Sequence, residues 1–125
     1  MNLESLRDYC LKLSGVTEEL PFGPDTLVFK VMGIVFLLTS LDGTPLSFNV
    51  KCDPEKAEEL RADFSEVLPG YHMNKKHWNT ILVTGSIPSD PLFEWVKDSY
   101  DLVARSLTKA AKQELEKLNL NQQIE

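Results

Sequence analysis

Between Leu27 and Lys51 three β-type runs follow one another with only turn residues separating them, and this feature restricts the fold more than any other. Leu27, Phe29 and Val31 recur at every second position with polar Lys30 between them, Met32-Gly33 forms a break, and Ile34 to Thr39 is apolar on both faces. Asp42-Gly43 then marks a turn, after which Leu46, Phe48 and Val50 alternate with Ser47, Asn49 and Lys51. Successive strand side chains point to opposite faces, so each alternating run buries one face. Parallel neighbours need a crossover of roughly a dozen residues, which these links lack. The segment therefore reads as three antiparallel strands, the second more central than its neighbours because both of its faces are apolar.

Helices flank this unit. Leu3, Leu6, Tyr9, Cys10 and Leu13 fall at helical spacing, with Asn2 as N-cap and Gly15 at the left-handed position past the end. Val16 to Asp25, with Pro21, Gly23 and Pro24, reads as a connector. Asp53-Pro54 starts a second helix that carries Ala57, Leu60 and Phe64 inward, since a capping acid followed by proline suits a first turn. Val67 to His72 can extend, Met73 to His77 is a turn, and Trp78 to Val83 is a strand. Asp90-Pro91 repeats the starting device for a long helix striped by Leu92, Val96, Tyr100, Val103 and Leu107. Residues 108 to 118 continue that helix or form another. The expected class is α+β, a two-layer sandwich of mostly antiparallel sheet packed against helices. No Gly-rich loop joins a strand to a helix, so a parallel nucleotide-binding fold fits poorly.

The chain of 125 residues suits one domain, expected over 1–118, with 119–125 as a polar C-terminal tail. The longest apolar run, Ile34 to Leu38, is far shorter than the roughly 20 residues of a membrane helix. Met1 to Leu13 carries acids where a signal peptide would be basic. Cys10 and Cys52 are too few for a disulfide framework, so two reduced thiols in a cytoplasmic protein without membrane contact are expected.

Nineteen acids against thirteen bases give a net charge of −6, which opposes approach to a polyanion. The distribution is uneven: residues 1–66 hold twelve acids and six bases, whereas 67–125 hold seven of each. Val67 to Ser89 contains no acid and includes Lys75, Lys76 and both histidines. Glu55, Glu58, Glu59 and Asp63 form a solvated helix face.

The stretch from Tyr71 to Thr80 concentrates two imidazoles, two ammoniums, two amides and two large aromatics. Such a mixture can bond phosphates, stack on a ring or move protons near neutral pH. His72 and His77 are five apart with no acid between them, a spacing that matches neither a zinc protease helix nor a closed structural site, so no metal or other cofactor is expected. Cys10 reads as core and Cys52 sits beside a helix cap, so no catalytic residues are expected either. A purely structural role has His72 and Asn74 satisfying backbone groups at a tight turn while Trp78 anchors the next strand in the core.

The run Pro69-x-x-His72-Met73-Asn74-Lys75-x-His77-Trp78-Asn79-Thr80, followed by Gly85-Ser86-Ile87-Pro88 and Asp98-Ser99-Tyr100, resembles the bacterial MmcQ/YjbR family. Pro21-Phe22-Gly23, Phe29-Lys30-Val31 and Val50-Lys51-Cys52-Asp53-Pro54 extend the likeness, which spans residues 3 to about 107. The resemblance implies a two-layer α/β domain similar to secretion-chaperone-like and frataxin-like shapes, and a DNA-binding role through a double-wing motif. The hairpin tips, Met32-Gly33 and Leu41 to Thr44, carry no base. Under the DNA reading Lys51, Lys75 and Lys76 would meet phosphates while Asn74, His77 and Trp78 order the loop or touch a base. Arg61 is disfavoured because its helix is surrounded by acids. The alternative is a protein-interaction or chaperone-like adaptor, motivated by the doubly apolar Ile34 to Leu38, that holds a partner or a second copy without nucleic acid. A third reading is a small-molecule site around His72 and His77.

Overall fold

The alternating runs assemble into a six-stranded, wholly antiparallel sheet in the computed structural model, which describes residues 1–71 and 73–124. The helices are α1 (Leu3–Lys12), α2 (Pro54–Asp63), α3 (Ser89–Ser106) and α4 (Lys109–Ile124). The strands are β1 (Val16–Glu19), β2 (Thr26–Val31), β3 (Ile34–Ser40), β4 (Leu46–Lys51), β5 (Val67–Pro69) and β6 (Trp78–Val83). Their order across the sheet is β1-β2-β3-β4-β6-β5, so the α2 excursion leads to a new edge and β6 returns to pair with β4.

One face of this sheet makes the core. Leu27, Phe29, Leu37, Phe48, Val50 and Ile81 are buried with Leu6 and Cys10 of α1, Ala57 and Leu60 of α2, and Leu92, Val96 and Val103 of α3. Direct cross-strand pairing of Phe29 with Leu37, Leu37 with Val50, and Phe48 with Ile81 puts these side chains on the same surface. The opposite face, with Thr26, Leu38, Asn49 and Thr80, contributes nothing to that cluster. The helices thus form one layer and leave the second sheet face uncovered by them.

Between β2 and β3 the register slips after Phe29, leaving Phe36 as an extra residue between Leu37 and Val35. Both Phe36 and Leu37 are consequently buried. Ser99 of α3 repairs the gap: its hydroxyl donates to the Phe36 carbonyl at 2.6 Å and accepts the Lys51 backbone N–H at 2.8 Å.

Several local expectations change. The connector from Val16 contains the edge strand β1, which needs only one ladder and ends before Pro21. Helix α3 begins at Ser89 with Pro88 as cap and no side-chain cap bond, so Asp90 lies in its first turn rather than capping it. Residues 109–124 form a helix of their own, α4, extending into the region read as a polar tail. Asn2 does cap α1, accepting the Ser5 N–H at 2.8 Å in a capping box. No helix among the described residues is long and apolar enough to cross a membrane.

Candidate functional site

Gly70 sets the position of the loop between β5 and β6. A Cβ there would stand 2.8 Å from Trp78 Cβ and 3.0 Å from Met73 Cβ, so only glycine allows the chain to approach β6 this closely. The Gly70 N–H donates to the Trp78 carbonyl at 2.9 Å, closing the loop against the strand. Asn74 then organises the turn: its side-chain oxygen accepts Lys76 N–H at 3.0 Å, and its carbonyl accepts His77 N–H at 3.2 Å and Trp78 N–H at 3.0 Å.

The loop is also tied to α2. Arg61 donates from Nε to Asn79 Oδ1 at 2.7 Å and from Nη2 to the Lys75 carbonyl. Asn79, buried in the sheet, spends its amide on the Ala57 carbonyl at 3.4 Å. Arg61, set aside in the sequence because of its acidic surroundings, is therefore the residue that joins helix, strand and loop. A buried asparagine inside a β-run was the available signal for such a partner.

These constraints divide the predicted residues. Lys75 bends back, its ammonium donating to the Gly70 carbonyl at 3.0 Å. Lys75 and Lys76 line a shallow depression with Glu55, Glu58 and Arg61, facing the acidic helix. The His77 carbonyl accepts the Cys52 N–H at 2.7 Å, stitching the loop to the end of β4. Lys51 lies directly opposite Trp78 in the β4–β6 ladder. Trp78 is not in the core; it is half-buried and lines the open sheet face. His72 lies outside the described residues.

On that open face Phe22, Leu38, Tyr71, Met73 and Trp78 wall a groove of about 670 Å³. On the sheet that floors it, polar Ser47, Asn49 and Thr80 stand beside apolar Val35 and Leu38, and no charged side chain lines it among the described residues. The floor is ordered by a chain of bonds: Tyr71 N–H donates to Thr80 Oγ1 at 3.0 Å, and that hydroxyl donates to Asn49 Oδ1. Phe22 and Tyr71 are 72% and 70% exposed, so the rim presents aromatic surface to solvent. Tyr71, Met73 and Trp78 all belong to the run that stands out in the sequence, whereas Phe22 and Leu38 join them only in space.

The thiols lie elsewhere. Burial pushes the Cys10 thiol up to about 12 and raises Cys52 as well. Cys52 borders a separate cleft of about 300 Å³ with Asp53, Lys56, Asp98, Asp101 and Arg105, where burial raises the Asp98 carboxyl.

A YjbR family model matches residues 11–102. The chain belongs to the YjbR family. Among YjbR relatives, the Escherichia coli O157:H7 protein YbdF is 38% identical over 107 residues, covering 85% of this chain and 87% of YbdF. YjbR of Escherichia coli K12 is 30% identical, covering 80% and 85% respectively. Both are named as uncharacterized proteins. The crystal structure of Deinococcus radiodurans protein DR2400, described with a DUF419 domain, superposes with a TM-score of 0.86 at 40% identity, over 92% of this chain and 88% of that one. A Pseudomonas syringae protein superposes with a TM-score of 0.71 at 27% identity, over 82% and 98%. The YjbR fold seen in these neighbours is the α+β sandwich described above.

Proposed function

We propose that this YjbR protein is a noncatalytic binding domain whose ligand seats on the open face of the sheet. One observation carries the reading: a concavity of about 670 Å³ lies where the loop held by Gly70 and Asn74 meets β6, and its lining combines apolar side chains with polar, uncharged ones. Ligand sites combine those features, with volumes of roughly 300–1,000 Å³. Burial holds both cysteines as thiols at neutral pH, which leaves them poor nucleophiles and supports a role without covalent catalysis.

A nucleic-acid reading is the second, and Lys51 opposite Trp78 favours it by pairing a cation with an aromatic in adjacent strands. Against it, Lys75 and Lys76 share their depression with Glu55 and Glu58, whose charges repel phosphate. Amide chemical-shift mapping distinguishes the readings. Titration with a library of small fragments is expected to perturb β4, β6 and Tyr71 to Met73. Perturbations confined to the helix layer, or none with any fragment, would overturn the open-face reading. A short DNA duplex that shifts Lys51, Lys75 and Lys76 in a salt-dependent manner would install the second.

A further inference from the structure

We infer that the groove takes a neutral, flat, aromatic small molecule carrying a hydrogen-bond acceptor, an inference that rests on the open face being the binding surface. Charge narrows the class first. Among the described residues the lining has no ammonium, guanidinium or carboxylate, and Lys51, the ladder partner of Trp78, is not among the lining residues, so a charged group held within the groove would lose hydration without a partner in that lining. Size and wall chemistry narrow the class further. About 670 Å³ bounded by Trp78, Tyr71, Phe22 and Met73 suits a fused-ring compound, because aromatic and thioether side chains offer large contact area to π-surfaces.

The acceptor requirement comes from the floor. Tyr71 N–H occupies a lone pair of Thr80 Oγ1, and the Thr80 hydroxyl proton goes to Asn49 Oδ1. In this arrangement the Asn49 amide engages Thr80 through its oxygen. Its Nδ2 makes no protein hydrogen bond among the described residues, although Asn49 lines the groove. A carbonyl or ring nitrogen on the ligand would satisfy it, and Ser47 supplies a hydroxyl beside it. A donor that loses its water to a ligand without gaining an acceptor discriminates against ligands that lack one.

The test uses Prodan, a neutral naphthalene ketone whose emission shifts to the blue in apolar surroundings, alongside anionic anilinonaphthalene sulfonate. Wild-type protein is expected to bind Prodan at one site with a blue shift, and the sulfonate at least about tenfold more weakly. Ser47→Phe, which fills the groove, and Asn49→Ala, which removes the donor, are each expected to weaken Prodan by about tenfold or more. Circular dichroism and melting establish that each variant is folded, and Trp78→Phe serves in place of any that is not. No blue shift up to the solubility limit, equal binding of the sulfonate, or unchanged binding in folded Ser47→Phe overturns the ligand class. If Prodan fails while other fragments still perturb β4 and β6, this inference falls and the open-face reading stands; if nothing perturbs that face, both fall.

Discussion

Arg61 Nε lies 2.7 Å from Asn79 Oδ1, so a helix on one side of the β5–β6 excursion holds the strand that begins on the other. Asn79 is 1% exposed and gives its amide to the Ala57 carbonyl, which means that its side chain is satisfied wholly by α2. Asn79→Ala removes both bonds and leaves the Arg61 Nε donor without its partner. Guanidinium denaturation is expected to show a loss of about 2–3 kcal/mol. A loss within the error of the extrapolation would mean that the contact contributes nothing.

Arg61→Ala unpairs Asn79 Oδ1 as well as the loop, so a loss of stability is expected together with a larger, local loss of loop order. The Lys75 carbonyl loses its guanidinium donor, whereas the core beneath β6 keeps Ile81, Phe48 and Val50. Hydrogen exchange is expected to quicken more at the His77 and Trp78 amides than at those of β3 and β4. Uniform acceleration across the sheet would contradict this division.

Gly70→Ala tests the close approach that places Tyr71 and Met73 beside Trp78. The added methyl would meet Trp78 Cβ at 2.8 Å and the Trp78 carbonyl at 3.0 Å, and strand backbone cannot yield as a flexible side chain would. The expected cost is about 1–3 kcal/mol in denaturant melts, with altered Trp78 fluorescence. An unchanged melt and spectrum would show that the loop relaxes freely.

Much of this architecture was legible in sequence, for identifiable reasons. Leu46, Phe48 and Val50 alternate because β4 lies between covered and open faces, and that period gives the strand and its inward set directly. Asp53 with Pro54 marks α2 because a cap and a first-turn proline act locally. Strand β1 escaped because four residues at an edge carry little periodicity. The groove escaped for a different reason: Phe22, Leu38 and Trp78 are far apart in the chain and meet only through the β2–β3–β4–β6 pairings. The ten-residue run from Tyr71 was rightly conspicuous, yet its lysines and its aromatic turn to different surroundings, which composition cannot reveal.

The pH dependence of the α1–β1 contact has a definite sign. The Arg7 guanidinium bonds Glu18 through Nε at 2.6 Å, and that hydrogen bond lowers the Glu18 carboxyl below its ordinary range. A carboxylate depressed in the folded state stabilises above its unfolded pKa and loses that contribution as pH falls through the folded value. The stability difference between wild type and Arg7→Ala is therefore expected at neutral pH and should vanish in acid, with only a small amplitude because the pair is exposed. A difference that grows on acidification would reverse the assignment.

Ser99 provides the sharpest test of how α3 supports the sheet. Its fully buried hydroxyl donates to Phe36, the residue left out of register by the bulge, and accepts the N–H of Lys51. Ser99→Ala changes little volume but leaves a buried carbonyl and a backbone N–H unpaired, so the expected cost is about 2–3 kcal/mol. Ser99→Cys keeps comparable bulk but is a weak donor and acceptor, and should recover only part of the loss. Because Lys51 continues directly from Asn49 in β4, the Ser99 variants should also reduce Prodan affinity if the groove floor depends on that strand's end being held. Normal stability in Ser99→Ala would mean that water or a backbone shift replaces the hydroxyl, and intact Prodan binding in a destabilised variant would confine the role of Ser99 to the core.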